Sequence, residues 1–428
     1  MSYALGIDIG TSGVRTAVID KTGTPVSSAR APHVAQTSDD IDARLWWQAV
    51  ETCLHAQVQS LHDAAIDPRQ IASIAVDGTS GSMVLTDADL NPVSPALMYN
   101  SKGFDAEAQE IAKWAADPHI TRGSNSALAR AMRLFSRANA APAHLLHQAD
   151  FITAKLMGFG GLSDENNALK TGFDPERAAW PEWIGNVFPR HLLPHVKPVG
   201  SRLGTLDPAM AEGFGLNPET VVAAGTTDSI AAFVACAPFQ RGIAVTSLGS
   251  TLAVKALSER RIDDPAIGLY SHKIAGFWLV GGASNTGGAV LAHFFSPDEI
   301  ADLSKSIDPK QQTGLDYYPL LKPGERFPIN DTNFQGRLDP RPDDDHHFLA
   351  GLFEGIAGVE RLCYREIERR GGGFPNQIFT AGGGASNKVY AAIRSRSLGL
   401  DVQAADNDEA SIGTARISTW AIKSPNQH

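Results

Sequence analysis

Two short turns carry the residue types that handle phosphate. In Asp8-Ile9-Gly10-Thr11-Ser12-Gly13 the apolar alternation of one strand ends in a Gly-Thr-Ser-Gly turn, and a second alternating strand follows. Gly10 and Gly13 lack a Cβ, so a polyphosphate can approach the backbone N–H groups, and Thr11 and Ser12 add hydroxyl donors. Asp8, at the end of the first strand, is placed to hold a hydrated Mg²⁺. Alone, this stretch reads equally well as an ordinary hairpin with a polar turn. The design recurs, however, in Leu248-Gly249-Ser250-Thr251, between the apolar runs 243–247 and 252–257. One such turn in each half points to a duplicated domain with a nucleotide held between the halves.

Between the two turns, Gly225-Thr226-Thr227-Asp228 follows a short apolar strand and opens a helix. Asp at that place is most often a plain N-cap. So near the second phosphate turn, a catalytic carboxylate is the stronger reading. Another carboxylate, Asp77, follows the apolar strand 71–76 and begins a turn with Gly78 and Thr79. It is suited to accept hydrogen bonds from substrate hydroxyls, with an Asx-turn as the alternative. Asn100, after Ala96-Leu97-Met98-Tyr99, is expected to face the same site. Near the C-terminus a strand over 377–380 runs into Ala381-Gly382-Gly383-Gly384-Ala385, and Ser386-Asn387 caps a helix. That arrangement suits a flat adenosine, whose ribose and α-phosphate need close backbone approach.

The elements that must position these residues are read more coarsely. A helix is expected over 41–62, helical spacing over 106–156 with short interruptions, and surface connections over 180–198. Trp46 and Trp47 read as core, with a sugar-lining role as the lesser alternative. Gly281 to Gly288 reads as a small-residue turn. Asp343-Asp344-Asp345-His346-His347 reads as the acidic N-terminus of a helix over 348–370 rather than a metal site. At 428 residues, with 43% hydrophobic and 20% charged, the chain is globular and suited to two domains of roughly 200 residues each. The division is expected at 219/220. The net charge of −10 argues against nucleic acid or an anionic membrane as partner. Three scattered cysteines offer neither a disulfide framework nor zinc spacing, which fits a reducing cytosol. No stretch reads as an export signal or a membrane span, so a cytoplasmic location is expected.

The order of Asp8-Ile9-Gly10-Thr11, Gly225-Thr226-Thr227-Asp228, Leu248-Gly249-Ser250-Thr251 and Thr380-Ala381-Gly382-Gly383-Gly384-Ala385-Ser386-Asn387 resembles the FGGY family of carbohydrate kinases over nearly the full length. Asp150-Phe151-Ile152 to Leu156-Met157-Gly158 and Glu409 to Ala415 resemble two further family segments. The resemblance implies an α/β fold of two ribonuclease H-like domains, of the actin, Hsp70 and hexokinase superfamily, with an ATP cleft between them. It implies ATP and Mg²⁺ as cofactors, a small sugar as substrate and a monomer or homodimer. Asp8, Gly10, Thr11, Ser12 and Arg15 are assigned to ATP through the first phosphate segment, Gly249, Ser250 and Thr251 through the second, and Gly383, Gly384 and Asn387 through the adenosine segment. Asp228 matches the catalytic base and, with Asp8, is assigned to the metal through water. Arg130 stands where many members have Lys, Tyr99-Asn100-Ser101-Lys102 replaces a "W-N-D-x-R" run, and the chain is shorter than typical members.

The activity expected is transfer of phosphate from ATP to a primary hydroxyl of a small sugar. The 76–80 turn and the 98–100 segment are similar to short plant and cyanobacterial members associated with D-ribulose, which is expected ahead of D-xylulose or another pentulose or polyol. Asp77 is expected to discriminate the epimers, since a mismatched polar group in a closed site costs about 1–3 kcal/mol. The alternative from another class is a non-catalytic ATP switch of the actin or Hsp70 type.

Overall fold

Alternation along the strands decides which face each one buries. The computed structural model describes residues 2–33 and 40–422. The first three strands, β1 (Tyr3–Ile9), β2 (Gly13–Ile19) and β3 (Pro25–Pro32), form an antiparallel meander. Helix α1 (Arg44–Asp63) then crosses to β4 (Ile71–Gly78), which pairs parallel to β1. Leu5, Ile7 and Ile9 of β1 and Ile74 and Val76 of β4 join a core with Trp46, Val50, Cys53 and Leu54 of α1. Trp46 and Trp47 are both core residues, Trp46 set edge-on to Phe151.

A smaller two-stranded ribbon follows, β5 (Met83–Thr86) with β6 (His144–His147), flanking α2 (Asp105–Ala112) and α3 (Ala127–Ser136). The helical spacing expected over 106–156 therefore contains one strand. Next come α4 (Gln148–Met157), β7 (Leu162–Asp164), α5 (Glu165–Thr171), β8 (His195–Lys197), β9 (Arg202–Thr205), α6 (Pro208–Phe214), β10 (Val221–Ala223), β11 (Thr226–Thr227) and α7 (Asp228–Cys236). The main sheet has the order β3-β2-β1-β4-β10-β9, with β11 also paired to β4.

The second unit repeats the plan. An antiparallel set is made by β12 (Ile243–Leu248), β13 (Leu252–Ser258), β14 (Tyr270–Ile274) and β15 (Phe277–Ser284). Residues 281–284, expected in a turn, are the end of β15, because they pair with 252–255 of β13. Helices α8 (Gly288–Phe294), α9 (Pro297–Ser304) and α10 (Asp345–Arg369) precede β16 (Gln377–Ala381), α11 (Lys388–Leu398) and β17 (Asp401–Ala404). The sheet order is β14-β15-β13-β12-β16-β17, with β16 parallel to β12 as β4 is to β1. Asp344 caps α10, and Phe348, Leu349, Leu352, Phe353, Ile356 and Val359 fill the second core at helical spacing.

The chain finally returns to the first unit as α12 (Ala410–Ser418). The two units are residues 1–235 with 409–428, and residues 236–408. This corrects the division at 219/220. Strands β10 and β11 pair with β4, which keeps 220–235 with the first sheet. Helix α12 lies on the face of that sheet opposite α1, where small residues let it approach. A Cβ on Gly6 would stand 2.0 Å from the Ser411 carbonyl oxygen, and Ser73 bonds Ser418 at 2.9 Å. Among the described residues no helix is long and apolar enough to cross a membrane.

Candidate active site

In the first unit the strand ends bring three carboxylates together. Asp8 and Asp77 are register partners on β1 and β4, and Thr226 of β11 pairs beside Asp77, so that Asp228 opens α7 at the same end of the sheet. Parity puts Asp8 and Asp77 on the face covered by α12. Asp77 is fully buried, and one of its oxygens accepts a hydrogen bond from the Thr414 hydroxyl. Burial above all, then the charge of Asp8, pushes the Asp77 carboxyl well above the usual carboxylate range, against the pull of Thr414. Asp8, 3% exposed, is also raised by burial, opposed by hydrogen bonding with Asp77 and by Arg15, whose Nη1 lies 3.4 Å from Asp8 Oδ2. Arg15 is half-exposed and also reaches Glu409 at 3.7 Å.

The expected sugar residues divide. Asp77, Gly78 and Thr79 are buried, and Asn100 is exposed. Strand β4 runs on to Gly78 instead of ending at residue 76, which carries Asp77 inside the sheet. Gln148 then holds Thr79 inward, its Oε1 accepting from the Thr79 backbone N–H at 3.0 Å and hydroxyl at 2.7 Å. Asp77 therefore presents no carboxylate at the surface of this turn, contrary to the expectation. Tyr99 and Asn100 form the exposed edge, joined to the 80–82 turn by a hydrogen bond from the Tyr99 N–H to Ser82 Oγ at 3.0 Å, while the Ser80 Oγ is buried and, like Asp77 Oδ1, meets no hydrogen-bond partner among the described residues. Asp228 is partly exposed, and its Oδ1 accepts from the Ser229 N–H at 2.6 Å.

Thr11 and Ser12 are exposed in the β1–β2 turn, which is closed by the Gly10 N–H on the Gly13 carbonyl at 3.0 Å. His33 braces this turn by donating from Nε2 to the Gly10 carbonyl at 2.9 Å. Sequence reasoning passed over His33, Gln148 and Thr414. Only Thr414 sits inside a segment whose pattern was recognised, and nothing local links the other two to their turns.

In the second unit the ends of β12 and β16, with α8, α9 and α11, surround a mainly apolar cavity of about 640 Å³. Gly249, Ser250, Gly383, Gly384 and Asn387 all line it, as do Leu291, Phe295 and Tyr390. Thr251 is exposed in the β12–β13 turn. Asn387 caps α11, its Oδ1 accepting from the Tyr390 N–H at 3.0 Å, and its Nδ2 donates to Ser304 Oγ at 2.8 Å. At Gly383 a Cβ would meet nothing within 4 Å, so the wall is open there. Volume, apolar lining and glycine backbone fit a nucleoside. Among the described residues no group of three or more His, Cys, Asp or Glu side chains is placed to hold a metal.

Comparison with known proteins agrees with this geometry. Residues 3–235 match the N-terminal domain and residues 244–422 the C-terminal domain of the FGGY family of carbohydrate kinases. A xylulose kinase of Lactococcus lactis is 24% identical over 417 residues, covering 90% of this chain and 81% of that protein. A gluconokinase of Bacillus subtilis is 20% identical over 460 residues, with 98% and 88% covered. The crystal structure of xylulose kinase from Rhodospirillum rubrum superposes with a TM-score of 0.84 at 19% identity, covering 99% of this chain and 90% of that one. The chain belongs to the FGGY family of carbohydrate kinases and is an ATP-dependent sugar kinase.

Proposed function

We propose that this kinase phosphorylates a primary hydroxyl of a pentulose, with Asp228 as the base that takes the hydroxyl proton. The observation that carries the reading is the position of Asp228, partly exposed at the start of α7 and one residue past a strand paired with β4. Such a carboxylate can receive a proton, whereas Asp8 and Asp77 are buried in the sheet. Asn100, which is exposed, and the Ser80 hydroxyl, buried with no hydrogen-bond partner among the described residues, are the side chains of this unit proposed to bind the sugar hydroxyls. ATP supplies the phosphoryl group when bound, and Mg²⁺ neutralises its charge. Asp8, through water, and Asp228 would hold the metal. The turns at 10–13 and 249–251 offer N–H and hydroxyl donors to phosphate oxygens, and the cavity beside Gly383 and Gly384 would take the adenosine.

Relatives named xylulose kinase support a pentulose. D-ribulose and D-xylulose differ at one hydroxyl, and discrimination is assigned to Ser80 and Asn100. A side-by-side kcat/KM for D-ribulose, D-xylulose, L-ribulose, gluconate and glycerol tests the reading. One of the two D-pentuloses is expected to exceed the other substrates by about tenfold or more, the scale of one mismatched polar contact. Preference for gluconate or glycerol would overturn the pentulose assignment.

A further inference from the structure

Arg130 of α3 is 3% exposed, yet among the described residues no carboxylate pairs with it. A guanidinium kept in the interior without a counter-ion is unfavourable unless its donors are used. Here they are spent on main-chain carbonyls of three separate segments. Nε donates to Gly81 at 2.9 Å, and Nη1 donates to Tyr99 at 3.1 Å and to Asn125 at 3.0 Å. Burial lowers its pKa to about 10, still high enough to keep the charge at neutral pH. The fit around the guanidinium is close. Gly81 has φ +88°, and a Cβ there would stand 2.8 Å from Arg130 Nη2.

The first two carbonyls flank the proposed sugar contacts, Gly81 following Ser80 and Tyr99 preceding Asn100. We infer that Arg130 is a positioning residue for sugar recognition, its guanidinium tying the 80–82 turn to the 99–101 segment so that Ser80 and Asn100 are held at a fixed separation. The inference rests on the pentulose-kinase reading of this site. A lysine ammonium also has three donors, but on one nitrogen, whereas the guanidinium reaches these carbonyls from two.

The test uses the full chain and whichever pentulose the wild type phosphorylates. In Arg130→Met the sugar KM is expected to rise about tenfold or more, since a bond to a charged donor is lost from each segment. The ATP KM should stay within about twofold, because uniform loss of sugar binding leaves the nucleotide untouched. Hydrogen exchange should quicken at residues 80–82 and 99–101 but not along 127–136 of α3. Arg130→Lys, which keeps the charge and three donors on one nitrogen, should restore part of the sugar KM lost in Arg130→Met. An unchanged sugar KM in Arg130→Met, or sugar and ATP KM rising together with a lower Tm, overturns the inference. If Arg130→Met does not fold, Arg130→Gln decides, because it keeps a polar side chain at this buried position while removing the charge and the fork that reaches the Gly81 and Tyr99 carbonyls. A raised sugar KM at constant ATP KM then supports the clamp, and an unchanged one removes it. A wild type that phosphorylates no sugar sinks the kinase reading, whereas an active wild type with an indifferent Arg130 sinks only the clamp.

Discussion

Single carboxylates in this chain have different fates because burial separates them. Asp228 keeps access to solvent, so Asp228→Asn is expected to lower kcat by about 10² or more, the usual scale for a general base, with sugar KM little changed. Near-normal turnover of that variant would remove Asp228 from the role. Asp164, which caps α5 by accepting from the N–H groups of Asn166 and Asn167, is pushed up to about 7 by burial and by the charge of Asp150. In the unfolded chain it titrates near 3.8. The folded state therefore holds a proton that the unfolded chain releases, and this contribution to stability is full below about pH 4 and is lost as pH rises through about 7. Asp164→Asn should flatten the dependence, with its Tm gaining on the wild type between about pH 5 and pH 8. Parallel Tm curves would show that Asp164 does not titrate in that window.

Elements in the second unit are joined by a buried ion pair. Arg394 of α11, 1% exposed, forks onto Glu360 of α10, fully buried, at 2.7 and 2.6 Å, and bonds the Thr380 hydroxyl of β16 at 2.7 Å. The Thr246 hydroxyl of β12 donates to the same carboxylate at 2.5 Å. Two helices and two strands thus meet at one site, and the Arg394 guanidinium lies 5.8 Å from the ring of Tyr390, which lines the cavity. Removing one partner strands the other charge, so Arg394→Met should cost about 3–5 kcal/mol in chemical denaturation. The double substitution Arg394→Met with Glu360→Met should recover more than half of that, since well-packed apolar groups often replace a buried pair at little loss. A double variant no better than the single one would show that the threonine bonds, not the stranded charge, set the cost.

At the scale of the whole molecule, each unit has its own core, and the cavity belongs to residues 236–408. ADP at about 100 times its Kd should stabilise by about 2.7 kcal/mol through mass action. Gly383→Leu, which adds a side chain at the open wall, should abolish the thermal shift while leaving the unliganded Tm nearly unchanged. A shift that survives this substitution would move the nucleotide elsewhere. The family, the two-part α/β plan and the glycine turns at 10–13, 249–251 and 382–384 were determined by the sequence itself, because each is a local run whose spacing survives folding. The strand register was not local, and it decided the fate of Asp77. Whether β4 stopped at 76 or 78 depended on pairing with β1 and β11, and the cover over that carboxylate came from Thr414, far along the chain. The unit boundary moved for the same reason, since α12 finds its place only when small residues such as Gly6 admit it to the first sheet. Gln148, His33 and Arg130 act through backbone groups distant in sequence, and only the tertiary structure, by bringing donor and carbonyl within hydrogen-bond reach, assigned them their positions.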